Sequence, residues 1–371
     1  MPHHRLNSIC AILNRIVAGL VIAGGLFLAS GCESKPAGMA GPGGASSGKP
    51  LKFAYVTNGV AEFWNVAEAG VRQAEKDLNA AGKNVKVEVR HPPDGVVDQK
   101  RMVQELLTVG VDGVAISPID PDNQGDLLAE IAKETIFITN DSDAPKSERL
   151  VYIGMDNYLA GRQCGEMIKE AMPEGAKVMI FVGRLGQLNA KQRRQGIIDE
   201  LLGRSIDPER YDEPGKELVG DKYTVLDTRT DDFDLVKAKA LAQDAITRHQ
   251  DLNCMVGLFA YNPPKLIDAV KDAGMVGKIQ VLGFDEDEGT LQGIRDGVMY
   301  GTCVQNPYQY GYQSIVMLDK LKAGDKSVIP ADKFVNIPAR KITKANVDEF
   351  WKELNKLLGK AEEVGKPAEG K

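Results

Sequence analysis

Several chemistries are hard to build from this chain because their residues are missing. It has 371 residues but only four His and five Cys. His3 and His4 fall in the first 31 residues, so His91 and His249 are left, each isolated beside loop-like sequence. No C-x-x-C spacing occurs, so a zinc or dithiol redox site lacks its ligands. Lys191, Arg193 and Arg194 form the one compact basic cluster, which gives nucleic acid no footprint. The turn from Thr57 to Trp64 after the first strand-like run lacks G-x-G-x-x-G, so a dinucleotide has no cradle there. Gly43 to Lys49 matches the start of a phosphate loop. Pro50 stands where its hydroxyl is needed, and no strand precedes it. Aromatics are also scarce, at 6%.

What is present is an ordinary globular composition, 26% charged and 43% hydrophobic, with a net charge of −6. The N-terminus is different. Arg5 and Arg15 lead into the apolar run at 16–31, which is short for a span of about 20 residues and has the order of a signal peptide. Leu28-Ala29-Ser30-Gly31-Cys32 resembles a bacterial lipoprotein signal, which implies acylation of Cys32 and a membrane anchor. Residues 32–50, rich in Gly, Pro, Ser and Ala, read as a flexible tether. Residues 359–371 read as a disordered tail. Cys254 and Cys303 lie in apolar strand-like runs. One disulfide among Cys164, Cys254 and Cys303 stays open.

Between tether and tail, strand-like and helical patterns alternate. The strand-like runs are 52–57, 85–90, 113–117, 135–140, 151–154, 177–183, 223–229, 254–260, 279–285 and 300–305. In the first helix Ala67, Val71, Ala74 and Leu78 form one apolar stripe, and Glu68 can pair with Arg72. Such alternation predicts an α/β fold with parallel sheets covered by helices on both faces. About ten strands exceed one lobe, so two doubly wound lobes are expected. Residues 203–222 are polar and read as a surface excursion.

Polar and aromatic residues gather where strands end, which is where α/β sheets bind ligands. Phe63 and Trp64 follow the first strand. Asp120 and Asp141 follow the third and fourth. Arg193, Asp231 to Phe233, Tyr261 to Asn262, Asp285 and Gln305 follow strands further on. Each Asp or Asn alone suits a helix N-cap, and Phe63 and Trp64 alone suit a core. Together, planar polar groups with two hydrogen bonds each and flat aromatic faces suit a ring bearing adjacent hydroxyls.

From about residue 51 to 346 the chain resembles the periplasmic sugar-binding proteins of the ribose-binding type, whose type I fold is shared with LacI-family effector domains. The resemblance rests on Phe63-Trp64, Thr139-Asn140-Asp141 and GRLGQLNAKQRRQG (183–196). Asp232-Phe233-Asp234, Phe259 to Asn262, Gly283-Phe284-Asp285 and Thr302 to Pro307 complete it. It implies that Phe63, Trp64 and Phe233 clamp a sugar ring. Asp141, Arg193, Asn262, Asp285 and Gln305 would then hydrogen-bond it. The departures are Ala61-Glu62, Ser142 and Pro263-Pro264, which point from ribose itself toward another cyclic polyol.

The resemblance further implies lobes made of 51–156 plus 306–336 and 157–305 plus 337–358, closing on ligand about a three-segment hinge. The partners implied are a monosaccharide or related polyol, an ABC transporter permease and, through the anchor, the membrane. A receptor feeding a sensor kinase or binding a signalling molecule is the alternative. An enzyme is disfavoured, no cofactor is implied, and nucleic acid is not expected. Replacing Arg193 by Ala is expected to abolish or greatly weaken binding and leave the fold intact.

Overall fold

The alternation of strand and helix runs through every residue that the computed structural model describes, 48–360. The signal-like segment, Cys32, nearly all of the tether and residues 361–371 lie outside the described residues. The chain begins with β1 (Leu51–Val56), α1 (Glu62–Ala80), β2 (Val85–Arg90), α2 (Val96–Val109) and β3 (Gly113–Ile116). α3 (Gly125–Glu134), β4 (Ile136–Asn140) and β5 (Tyr152–Gly154) follow. Next come α4 (Asn157–Ala171), β6 (Ala176–Val182), α5 (Leu188–Leu201), β7 (Leu218–Val219), β8 (Tyr223–Thr230) and α6 (Leu235–Arg248). β9 (Cys254–Gly257), α7 (Asn262–Asp272), β10 (Gln280–Phe284), α8 (Glu288–Arg295) and β11 (Gly301–Val304) continue the pattern. α9 (Pro307–Lys322), β12 (Phe334–Asn336), β13 (Arg340–Thr343) and α10 (Val347–Leu357) complete it.

Two sheets result. The first has the order β12-β5-β4-β3-β1-β2, with every pairing parallel. The second has the order β13-β11-β10-β9-β6-β8-β7 and is parallel except at its two edges, β13 and β7. Central strands of such sheets are covered on both faces, so they read as unbroken apolar runs. Phe53 to Val56 of β1 and Val178 to Val182 of β6 are buried accordingly. The chain leaves the first sheet after β5 and returns from β11 into α9, which packs on α1. It crosses again between β12 and β13.

Each lobe has one close helix pair, set by glycines. In the second lobe a Cβ at Gly161 would lie 2.3 Å from the carbonyl oxygen of Arg193, and one at Gly196 would lie 2.1 Å from that of Tyr158. The missing side chains let α4 and α5 touch backbone to backbone, and that contact fixes where Arg193 stands. Gly70 and Gly311 do the same for α1 and α9.

The helical stripe of α1 is buried at Ala67, Val71 and Ala74 and half-buried at Leu78, and Arg72 does bond Glu68. Three short strands, β7, β12 and β13, were not expected from the sequence. The excursion at 203–222 is also more than a surface loop. Asp199, fully buried on α5, accepts hydrogen bonds from Tyr158 Oη (2.8 Å) and Gln195 Nε2 (2.9 Å) and pairs with Arg210 at 2.8 Å. Arg204 pairs with Asp212 at 2.6 Å. The segment is strapped onto α5 by these charges. Cys164, Cys254 and Cys303 are buried and free.

Candidate functional site

A cleft of about 920 Å³ opens between the carboxyl ends of the two sheets. That is the size of a small-molecule site. In both sheets it lies where the strand order reverses, beside β1 and β3 in one and β6 and β9 in the other. Phe63, Trp64, Asp141, Arg193, Phe233, Asp285 and Gln305 all line it. Asn262 does not. It is the first residue of α7, so its side chain turns back under the loop. Its Nδ2 donates to Asp231 (2.9 Å), and its Oδ1 accepts from the Phe259 amide (3.1 Å). Asn262 therefore acts here as a brace behind the wall.

Arg193 is the centre of the site. It is 1% exposed. Its Nε donates to Asn157 Oδ1 and its Nη1 to the Leu258 carbonyl, each at 2.9 Å. Its guanidinium stacks on Phe284, 4.9 Å from the ring centre. Nη2 lies 4.0 Å from Asp141 and has no hydrogen-bond partner, while Nη1 lies 3.9 Å from Asp285. The basic cluster is thus buried at Arg193 and Arg194. The expectation that Arg193 can be removed without cost to the fold is corrected: its loss would leave buried carboxylates without a counter-charge.

The carboxylates are held from behind. Asp141 Oδ2 accepts from Ser117 Oγ (2.9 Å), Asn58 Nδ2 (3.2 Å) and Asn189 Nδ2 (3.2 Å). Burial pushes the Asp141 carboxyl up to about 6, against the pull of Arg193 and these donors. Asp285 Oδ1 accepts from Gln305 Nε2 (2.8 Å), whose Oε1 accepts from Tyr310 Oη (3.2 Å). Burial raises the Asp285 carboxyl too, again opposed by Arg193. Neither residue caps a helix. The capping roles fall to Asp156, Asp234, Asp287 and Asn306.

Two aromatic walls face the cleft. On the first lobe Phe63 and Trp64 meet edge to face, 4.9 Å between centroids, and Trp64 contacts Tyr55. Both rings belong to the lobe's apolar core and also line the cleft, so the two readings of the sequence are not exclusive. On the second lobe Phe233, 38% exposed, stacks on Phe259 at 5.7 Å with Tyr261 beside it. Tyr261 Oη donates to Asp231 Oδ1 (2.5 Å), and that oxygen also accepts from the Phe233 amide (2.9 Å).

Backbone strain concentrates here. Of five non-glycine residues with positive φ among the described residues, four line the cleft: Asp141 (58°), Asp232 (59°), Phe233 (67°) and Asp285 (71°). Asp tolerates this region, but Phe does so at a cost, and strain of this kind clusters at ligand sites. Arg184, Gln187, Asn189 and Tyr261 also line the cleft and were not singled out as ligands from the sequence. The signal was there, in the same strand-end loops and in the 183–196 stretch.

A family model described as a periplasmic binding protein domain matches residues 53–326. The ribose import binding protein RbsB of Escherichia coli (strain K12) is 28% identical over 256 residues, covering 68% of this chain and 79% of that protein. The D-allose-binding periplasmic protein of the same organism is 22% identical, covering 73% of this chain and 84% of that protein. An ABC transporter solute binding protein from Burkholderia graminis, solved in complex with D-arabinose, has the same fold. Its TM-score is 0.71 at 24% identity, over 81% of this chain and 98% of that one.

Proposed function

The chain belongs to the periplasmic binding protein family, and from that premise we propose that it captures a sugar or closely related polyol in the cleft and delivers it to an ABC importer. It is a binding protein and not an enzyme, as its family is. The observation that carries the ligand class is the open hydrogen-bonding capacity between two aromatic walls. Arg193 Nη2 and Gln187 Oε1 are buried, line the cleft and have no partner. A buried polar group left unpaired costs about 1–3 kcal/mol, which a hydroxyl, both donor and acceptor, recovers at either atom. The aromatic faces cover the C–H side of the same ring. RbsB and the allose-binding protein are named for such ligands, which supports the class without choosing the member.

In this reading Phe63, Trp64 and Phe233 clamp the ring, and Asp141, Arg193, Asp285 and Gln305 read its hydroxyls. Asn262 holds Asp231, which holds Phe233. The lobes, 51–156 plus 306–336 and 157–305 plus 337–358, close about the three crossings. Asn189 bonding Asp141, and Lys191 pairing Asp122 at 3.0 Å, are the contacts that closure makes. Closure then presents both lobes to the permease. Cys32 carries a lipid anchor, and the tether spaces the receptor from the membrane.

A thermal-shift panel of neutral monosaccharides and cyclic polyols tests the ligand class. A ligand at 100 times its Kd stabilises the native state by about 2.7 kcal/mol, so at least one member should raise the melting temperature. A panel in which no member does so would overturn the reading.

A further inference from the structure

The cleft is short of positive charge. Its lining carries the carboxyls of Glu62, Asp94, Asp141, Asp232, Asp285 and Asp287 against the guanidiniums of Arg184 and Arg193. Beside Asp285, Glu286 is 8% exposed, and neither carboxyl oxygen has a partner. Burial and the neighbouring Asp285 push its carboxyl well above the usual range. Asp141, Asp285 and Glu286 are all more than nine-tenths buried, and the one buried guanidinium near them is Arg193. At the mouth, Glu62 comes from the first lobe and Asp287 from the second. Burial, then Asp287 and Glu288, raise the Glu62 carboxyl. Glu62 stands where the ribose-type pattern has no acid.

Among the described residues no group of three or more His, Cys, Asp or Glu side chains is placed to hold a metal ion. The acids are spread along the cavity, which suits a compensating charge on an organic ligand. A separate observation asks for a donor. Gln187, 1% exposed and lining the cleft, has an Oε1 without a partner. A protonated amine has donors and no acceptor.

We propose that the ligand of this cleft is an amino-substituted polyol, with its ammonium on the Asp141–Asp285 side. The proposal rests on the polyol reading above and adds a charge to it. It also excludes sugar acids, whose carboxylate would meet an acid-rich wall.

Calorimetric titration at neutral pH with matched sets tests it: glucosamine, galactosamine and mannosamine, their neutral parents, and the corresponding uronates. At least one amine should bind about tenfold or more tighter than its parent, and no uronate should bind. A parent that binds as tightly as its amine, or a uronate that binds, overturns the proposal. Binding of a neutral sugar with silence from every amine overturns the charge and leaves the polyol reading standing. Silence from all nine and from the neutral panel overturns both. Asp285→Asn should cut the amine-over-parent preference about threefold or more. Glu62→Gln, on the exposed rim, should cut it less without disturbing the core. A preference unchanged in both variants contradicts the electrostatic account.

Discussion

Replacing Asp141 by Asn should make the protein more stable and a worse receptor. The side chain is buried, and its carboxyl is pushed up from 3.8 to about 6. An acid whose pKa is higher in the folded state is penalised for being ionised there. Below 3.8 it is protonated in both states and the penalty is absent. Between 3.8 and about 6 the penalty grows, and above that it is complete. That rise corresponds to about 3 kcal/mol at neutral pH. Asn removes the ionisation yet keeps an oxygen for Ser117 Oγ, which now donates to Asp141 Oδ2 at 2.9 Å. The variant should therefore gain up to about 3 kcal/mol at pH 7.5. The gain should shrink below pH 6 and vanish near pH 4. Urea unfolding of both proteins at pH 7.5, 6 and 4, followed by circular dichroism, measures this. Carboxyls shifted the other way, such as Glu68 and Asp212, are common to both proteins and cancel in the difference. Ligand affinity should fall in the same variant, since the charged acceptor is what the site retains at the expense of stability. A variant less stable than the parent at pH 7.5, or a gain that persists at pH 4, would refute the reasoning.

Other expectations follow from the same geometry. Phe233→Gly relieves a positive φ of 67° and should leave stability within about 1 kcal/mol of the parent, while ligand affinity drops about tenfold or more, as titration calorimetry would show. Gly196→Ala sets a Cβ 2.1 Å from the Tyr158 carbonyl oxygen. It should cost about 1–3 kcal/mol in urea unfolding and weaken binding through displaced Arg193. Asp199→Ala removes the buried carboxylate that anchors Arg210 to α5 at 2.8 Å, so limited trypsin digestion should cut at Arg210 faster than in the parent. Cys32→Ser should move the protein from the membrane fraction to the soluble fraction on centrifugation, and retention in the membrane would speak against the anchor.

Much of the fold was legible because central parallel strands are buried on both faces and therefore apolar throughout. β1 and β6 announce themselves in that way. β7, β12 and β13 did not, since two to four residues hydrogen-bonded at a sheet edge carry no pattern of their own. The cleft was legible from the rule that ligands sit beyond strand ends, and the family resemblance assigned roles there. What the pattern could not reveal was depth. Arg193 and Arg194 look alike in sequence, and each is buried for a different partner: the cleft carboxylates for one, and Thr228 with the Asp212 carbonyl for the other. Asn262 has the right type and place for a ligand contact, but the start of α7 turns its amide onto Asp231. Glu286 follows Asp285 in sequence, and only the fold shows that both its oxygens are buried without partners.

The central claim, that a sugar-like ligand sits against Phe63 and Trp64, can be read from a single side chain. The protein has two tryptophans, Trp64 in the cleft lining and Trp351 on α10 beside Arg295. In a Trp351→Phe protein all tryptophan emission comes from Trp64. Titration with the sugar or polyol that raises the melting temperature should change that emission saturably, at one ligand per chain. An emission that stays flat while the same ligand binds by calorimetry would place the ligand elsewhere and contradict the account.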